Sequence, residues 1–194
     1  MIGLFLGEKK LPLEILKSLK KKNIKYFIID LTKNNKFKKD RSSYFINIGK
    51  FGKILDLIKS KKCKKVLFAG NIIKPRISKL KLDLKGIYYI PRIIKASKLG
   101  DAAILKELIY ILSENKIRVI KLNTYNPELT LRKGCYTKLK PSLTDKLIIK
   151  KGIEILNRSN SFNHVQALVI NNHRIVSFEK RKGTKDMLKL LLIL

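Results

Sequence analysis

The stretch VLFAGNIIKPRISKLKLDLKG, Val66 to Gly86, decides the fold. Val66 to Ala69 is a short apolar run. Gly70, Asn71 and the Lys74–Pro75 pair follow it at once. An apolar run of this length that ends on glycine predicts a buried strand stopping at a tight turn. In an open parallel sheet, ligands bind beyond the carboxyl ends of the strands, where such turns collect. Gly70, Asn71 and Lys74 are therefore candidate binding residues. The same spacing also fits an ordinary strand exit with a lysine in solvent.

Upstream, Ile2 to Leu6 (IGLFL) reads as a first buried strand closed by Gly7. Pro12 suits the first turn of the helix that follows, because its missing N–H would be unpaired there anyway. Residues 25–30 (KYFIID) predict a second strand, with Asp30 at its carboxyl end, where a Rossmann-type fold places a ribose-binding acid. The first turn, Gly7–Glu8–Lys9–Lys10, has one glycine and a carboxylate, so a standard dinucleotide site is not expected. After the polar loop 33–43 come a strand over 44–48 and a helix over 49–60. The stretch 80–94 is broken by Gly86 and Pro91. A helix over 102–114 follows, with Asp101 as its N-cap, and then a strand over 117–121. Repeating strand–helix units predict an α/β fold: a Rossmann-like parallel sheet with flanking helices.

Residues 125–143 lack periodicity and read as a linker between an N-terminal domain (1–124) and a smaller α/β domain (144–194). In the latter, 144–156 predicts a helix with Thr144 as cap. Strands follow over 162–170 and 175–179, joined by a turn at Asn171–Asn172. Gly183–Thr184 opens a last helix. Two places could hold a phosphate. One is the carboxyl edge of the first sheet, with Gly7, Gly70, Asn71, Lys74 and Asp101. The other is Gly183–Thr184, where a helix start offers free N–H groups and a hydroxyl. Glu179 and Asp186 lie close by in sequence and could hold a divalent ion. Thr184 could equally be only a cap, and Asp186 a first-turn acid.

Composition narrows the classes. At 45% apolar, the 194 residues form a globular protein and not a disordered one. No run reaches the ~18 apolar residues of a membrane helix, and no signal peptide is expected. Cys63 and Cys135, with His164 and His173, are too few for a zinc site or a disulfide framework, which suits a reducing cytoplasm. The net charge of +31 comes from 37 Lys and 8 Arg against 14 acids. Lys, Ile and Asn are what AT-rich codons supply, and the lysines are spread along the whole chain. They read as a solvated coat or as a selected anion-binding surface. No RRM, KH or helix-turn-helix signature accompanies them, so no specific nucleic acid is expected, and a basic nucleic-acid-binding protein is the rival reading.

In order and spacing, AGNIIKP (69–75), DLKG (83–86), GDAAIL (100–105), PSLTD (141–145), HVQALVI (164–170) and KGTKDML (182–188) resemble the two-domain UDP-2,3-diacylglucosamine pyrophosphatases of lipid A synthesis. The resemblance implies a cytoplasmic, magnesium-dependent hydrolase that gives UMP and 2,3-diacylglucosamine 1-phosphate. It carries over Glu179 and Thr184 as site residues; Asp186, one position late for the family's acid, joins them as a candidate catalytic residue, and Glu179 and Asp186 stay the candidate metal ligands. Of the candidate substrate contacts, Gly70, Asn71, Gln166 and Gly183 are carried over from the family, and Gly7, Lys74 and Asp101 come from the sheet-edge reading. The acylated UDP-sugar is the expected partner; contact with an anionic inner-membrane surface and a homodimer are further expectations. Family chains also continue past the point where this one stops, with an acidic motif in that further part, so an incomplete enzyme is expected, with a truncated, inactive copy or a non-catalytic sugar-nucleotide-binding homologue as the alternative.

Overall fold

In the computed structural model, the described residues are 1–73, 79–131, 134–160, 165, 167–179 and 184–191. They divide into two compact units. Unit 1 takes Met1–Ile93 and Glu107–Arg132, and unit 2 takes Ile94–Lys106 and Lys133–Leu194.

Unit 1 is a parallel sheet wrapped by helices, as the strand–helix alternation predicts. Its strands are β1 (Ile2–Leu6), β2 (Tyr26–Asp30), β3 (Ser43–Phe45), β4 (Lys65–Ala69) and β5 (Arg118–Val119), in the order β3-β2-β1-β4-β5. Its helices are α1 (Leu11–Lys21) and α2 (Phe51–Ser60), with parts of α3 (Leu84–Ser97) and α4 (Asp101–Glu114). All of the strand pairings are parallel, and Leu6 lies opposite both Asp30 and Ala69.

The central strands are apolar at successive positions because both faces of the sheet are covered. Ile2, Leu4, Leu6, Ile28 and Leu67 pack with Ile15, Leu16 and Leu19 of α1. Phe5, Phe27, Ile29 and Val66 pack with Ile54, Leu55 and Ile58 of α2 and with Ile111 and Leu112 of α4. Arg92 joins α3 to α4. Its Nη1 and Nη2 donate to the two Glu114 carboxylate oxygens at 2.8 Å each, and its Nε donates to Glu107 at 2.6 Å.

Unit 2 holds α5 (Leu143–Asn160), a hairpin of β6 (Leu168–Asn171) and β7 (Arg174–Phe178), and α6 (Thr184–Leu191). Helix α5 meets the hairpin through Gly152, where an added Cβ would lie 3.2 Å from Ile170 Cδ1.

Several boundaries depart from the sequence reading. Residues 84–97 form one helix with Gly86 and Pro91 inside it, because Tyr89 and Ile93 pack against the core. Asp101 is the first residue of α4, not its N-cap; the Ile104 N–H is bonded to the Gly100 carbonyl. The cap of α5 is Ser142, not Thr144. The Ser142 Oγ accepts from the Asp145 N–H at 3.1 Å, while the Ser142 N–H and hydroxyl donate to Asp145 Oδ2 at 2.9 and 2.7 Å. That is a capping box with aspartate in the reciprocal place, and it holds the Asp145 carboxyl below its ordinary value. Ser142→Ala is expected to cost about 1 kcal/mol, read as a lower midpoint in urea. The hairpin turn sits one residue later than expected, at Asn172 and His173 (φ 45° and 62°), the left-handed pair of a type I′ turn.

Candidate active site

The strand order of unit 1 reverses between β1 and β4. That is the switch point where open α/β sheets take ligands, beyond the carboxyl ends of the strands. Here the two departing loops are tied to each other. The Glu8 N–H donates to the Asn71 carbonyl at 2.7 Å, the Asn71 N–H to the Glu8 carbonyl at 3.2 Å, and the Gly7 N–H to the Ala69 carbonyl at 2.9 Å. Gly7 and Gly70 are glycines for this crossing. A Cβ on Gly7 would lie 2.4 Å from the Asn71 carbonyl oxygen; one on Gly70, where φ is +87°, would lie 2.6 Å from that of Glu8. The close approach at both glycines is thus made by the chain's own backbone. Asn71 is exposed beside them; Lys74 lies outside the described residues.

Two acids of this edge have structural partners that the sequence did not reveal. Glu8, expected to repel a pyrophosphate, accepts the Lys33 N–H at 3.0 Å. Asp30 is buried, and it holds the following loop. Its Oδ1 accepts from the Thr32 N–H at 2.8 Å and the Thr32 hydroxyl at 2.7 Å, and its Oδ2 accepts from the Phe37 N–H at 3.0 Å. An Asx-type turn of this kind leaves no carboxylate pointing at a ribose. Asp101, in unit 2, is exposed at the start of α4.

The second place is the start of α6 in unit 2. The Thr184 hydroxyl donates to Glu179 Oε1 at 2.8 Å. The Glu179 N–H is itself bonded to the Ala167 carbonyl at 3.0 Å, fixing the residue after β7 to the residue before β6. Asp186 stands two residues further, in the first turn of α6. The structure therefore brings Glu179 and Thr184 into contact, with Asp186 on the adjoining turn. Gln166 and Gly183 lie outside the described residues.

Among the described residues no three of His, Cys, Asp and Glu cluster closely enough to hold a metal ion. A closed cage of protein ligands is therefore not made by those residues. Magnesium does not require one: it is commonly held by one or two carboxylates with water and substrate phosphate oxygens. Glu179, bonded to the Thr184 hydroxyl, and Asp186 in the first turn of α6 are the carboxylates this region offers for such a demand.

Residues 1–129 match the model of the LpxI N-terminal domain, and residues 132–193 match that of the LpxI C-terminal domain. The chain belongs to the LpxI family. Within it, the UDP-2,3-diacylglucosamine pyrophosphatase LpxI of Caulobacter vibrioides is 27% identical over 144 residues, covering 74% of this chain and 51% of that protein. The chain thus spans about half the length of the curated LpxI relative it matches. Among the described residues no helix is long and apolar enough to cross a membrane.

Proposed function

We propose that this LpxI-family chain hydrolyses the pyrophosphate of UDP-2,3-diacylglucosamine, giving UMP and 2,3-diacylglucosamine 1-phosphate, and that it does so in the cytoplasm. The observation that carries this reading is the match of both LpxI domain models, in order, along residues 1–129 and 132–193. The name of the Caulobacter relative supplies the substrate.

In the proposed reaction, water attacks one phosphorus and the bridging P–O bond breaks. One phosphate leaves on each product, and the proton of the attacking water passes to a base. Glu179 is the candidate to orient that water, its carboxylate held in place by the Thr184 hydroxyl. Glu179 and Asp186 would hold the divalent cation, which when bound supplies neutralising charge to the phosphoryl oxygens. The N–H groups at the start of α6 would receive a phosphate oxygen. Gly7, Gly70, Asn71, Lys74, Asp101, Gln166 and Gly183 remain the proposed substrate contacts.

Release of UMP from the acylated UDP-sugar, with magnesium and with chelator, tests this reading. The expected result is UMP in the presence of magnesium and none with chelator. Glu179→Gln is expected to lose about a hundredfold or more, and Thr184→Val less, because the valine keeps the shape and loses only the positioning bond. UMP only from a chain extended through the next stop codon of its gene would keep the assignment and mark these residues as an incomplete enzyme; no UMP from either folded chain with any divalent ion would overturn it. Binding of the substrate in that case would mark a non-catalytic homologue.

A further inference from the structure

A segment of unit 2 places apolar and basic side chains together on its surface. Tyr136, Leu139, Leu143 and Leu147 are 62, 87, 79 and 63% exposed. Their spacing of three, four and four residues runs into α5, where Leu143 and Leu147 share one face. Lys138, Lys140, Lys146 and Lys150 are interleaved with them, all exposed. The acid within this run, Asp145, is engaged by Ser142 in the helix cap. Soluble surfaces scatter single exposed leucines without consequence. Four large apolar groups, each more than half exposed within twelve residues and surrounded by lysines, form a patch of the kind that marks an interaction surface.

We propose that residues 136–150 dock on an anionic lipid bilayer. The charge of the chain selects this occupant. A second copy would bring another +31 against the patch and meet electrostatic repulsion. A phospholipid surface offers what the patch lacks: negative headgroups at the level of the ammonium groups and hydrocarbon just beneath. Lysines extend their charged ends outward while their stems lie along apolar surface. A helix with this composition lies in the plane of the interface without spanning it. The proposal is independent of the reaction above, since it concerns a surface and not a site of chemistry.

A tryptophan reporter tests it. The chain has no tryptophan, so Leu143→Trp places a single fluorophore in the patch. With vesicles of phosphatidylglycerol and phosphatidylethanolamine at about 0.15 M salt, the emission is expected to move to the blue and to be quenched by brominated acyl chains. With phosphatidylcholine vesicles it should not move. A Leu139→Ser/Leu147→Ser variant keeps every charge, and is expected to bind the anionic vesicles about tenfold more weakly or worse. Three results would overturn the proposal. One is bound protein whose tryptophan stays water-exposed, which is adsorption by charge alone. Another is a blue shift without lipid that grows with protein concentration, which is a second copy. The third is a blue shift without lipid at every concentration, which is a patch covered within the chain.

Discussion

Gly7→Ala is expected to unfold unit 1 at a temperature lower by roughly 10 °C, corresponding to about 3 kcal/mol. The added methyl would stand 2.4 Å from the Asn71 carbonyl oxygen and 2.7 Å from its carbon. Both are backbone atoms, so no side-chain rotation relieves the contact. The loop after β4 must move, and it takes with it the hydrogen bonds from Gly7 to Ala69 and between Glu8 and Asn71. Gly134→Ala is the control. There the nearest atom would be Tyr136 Cε2 at 3.8 Å, an ordinary contact, and the melting temperature should stay within a degree or two. Equal effects at the two sites would show that the crossing of the β1 and β4 loops is not tight.

The second large effect is expected at Asp83. Its carboxylate joins the starts of two helices: Oδ1 accepts from the Gly52 N–H at 3.1 Å and the Gly86 N–H at 2.8 Å, and Oδ2 from the Lys53 N–H at 3.1 Å. The backbones come together so closely that a Cβ on Gly86 would stand 2.3 Å from the Gly49 carbonyl oxygen. Asp83→Ala removes the acceptor for three N–H groups and is expected to cost about 3 kcal/mol.

This contribution depends on pH. Partial burial pushes the Asp83 carboxyl up, but the N–H groups of Gly86, Gly52 and Lys53 outweigh that and hold it below the ordinary carboxylate value. A carboxyl whose folded pKa lies below its unfolded one stabilises fully above the unfolded value, about 3.9. That contribution is withdrawn as pH falls through the folded value. Urea midpoints of the parent chain should therefore fall on acidification below about pH 4. The Asp83→Ala chain should start lower and fall less. Parallel curves for the two proteins would remove Asp83 from this role.

The fold was legible because the sheet is covered on both faces. IGLFL, YFII and VLFA are uninterrupted runs without a charged or polar side chain beyond the tyrosine hydroxyl, and glycine or a polar stretch closes each one. Local rules failed where tertiary contacts decide. Pro91 and Gly86 argue against a helix, yet Tyr89 and Ile93 bury themselves only if α3 continues through them. The spacing predicts Thr144 as the cap of α5; the cap is Ser142 instead, because Asp145 answers it three residues later.

At the candidate site the limit was of another kind. A glycine needed for close approach looks the same in sequence whether a phosphate or another loop approaches it. At Gly7 and Gly70 a loop does. Asp30 was legible as an acid at a strand end, but its three donors come from Thr32 and Phe37, whose positions depend on how the loop closes. The Thr184–Glu179 bond was not legible: the sequence pairs Glu179 with Asp186 and leaves Thr184 as a phosphate donor or a cap, because which acid the hydroxyl meets depends on how the chain turns between β7 and α6.

The division of unit 1 into two pieces of chain sets an order of events during synthesis. Ile111, Leu112 and Ile117 belong to the same core as Phe5, Phe27 and Ile54, and β5 pairs with β4 only at residues 118 and 119. A nascent chain that has emerged as far as Ile93 thus has its central strands and α2, but lacks Ile111 and Leu112 of α4, which complete the cover of that face. The first domain is finished only after residues 94–106, which belong to the second, have already left the ribosome. The part nearest the N-terminus must wait, partly uncovered, for sequence more than a hundred residues downstream of its first strand. That interval is when chaperones have most to guard against.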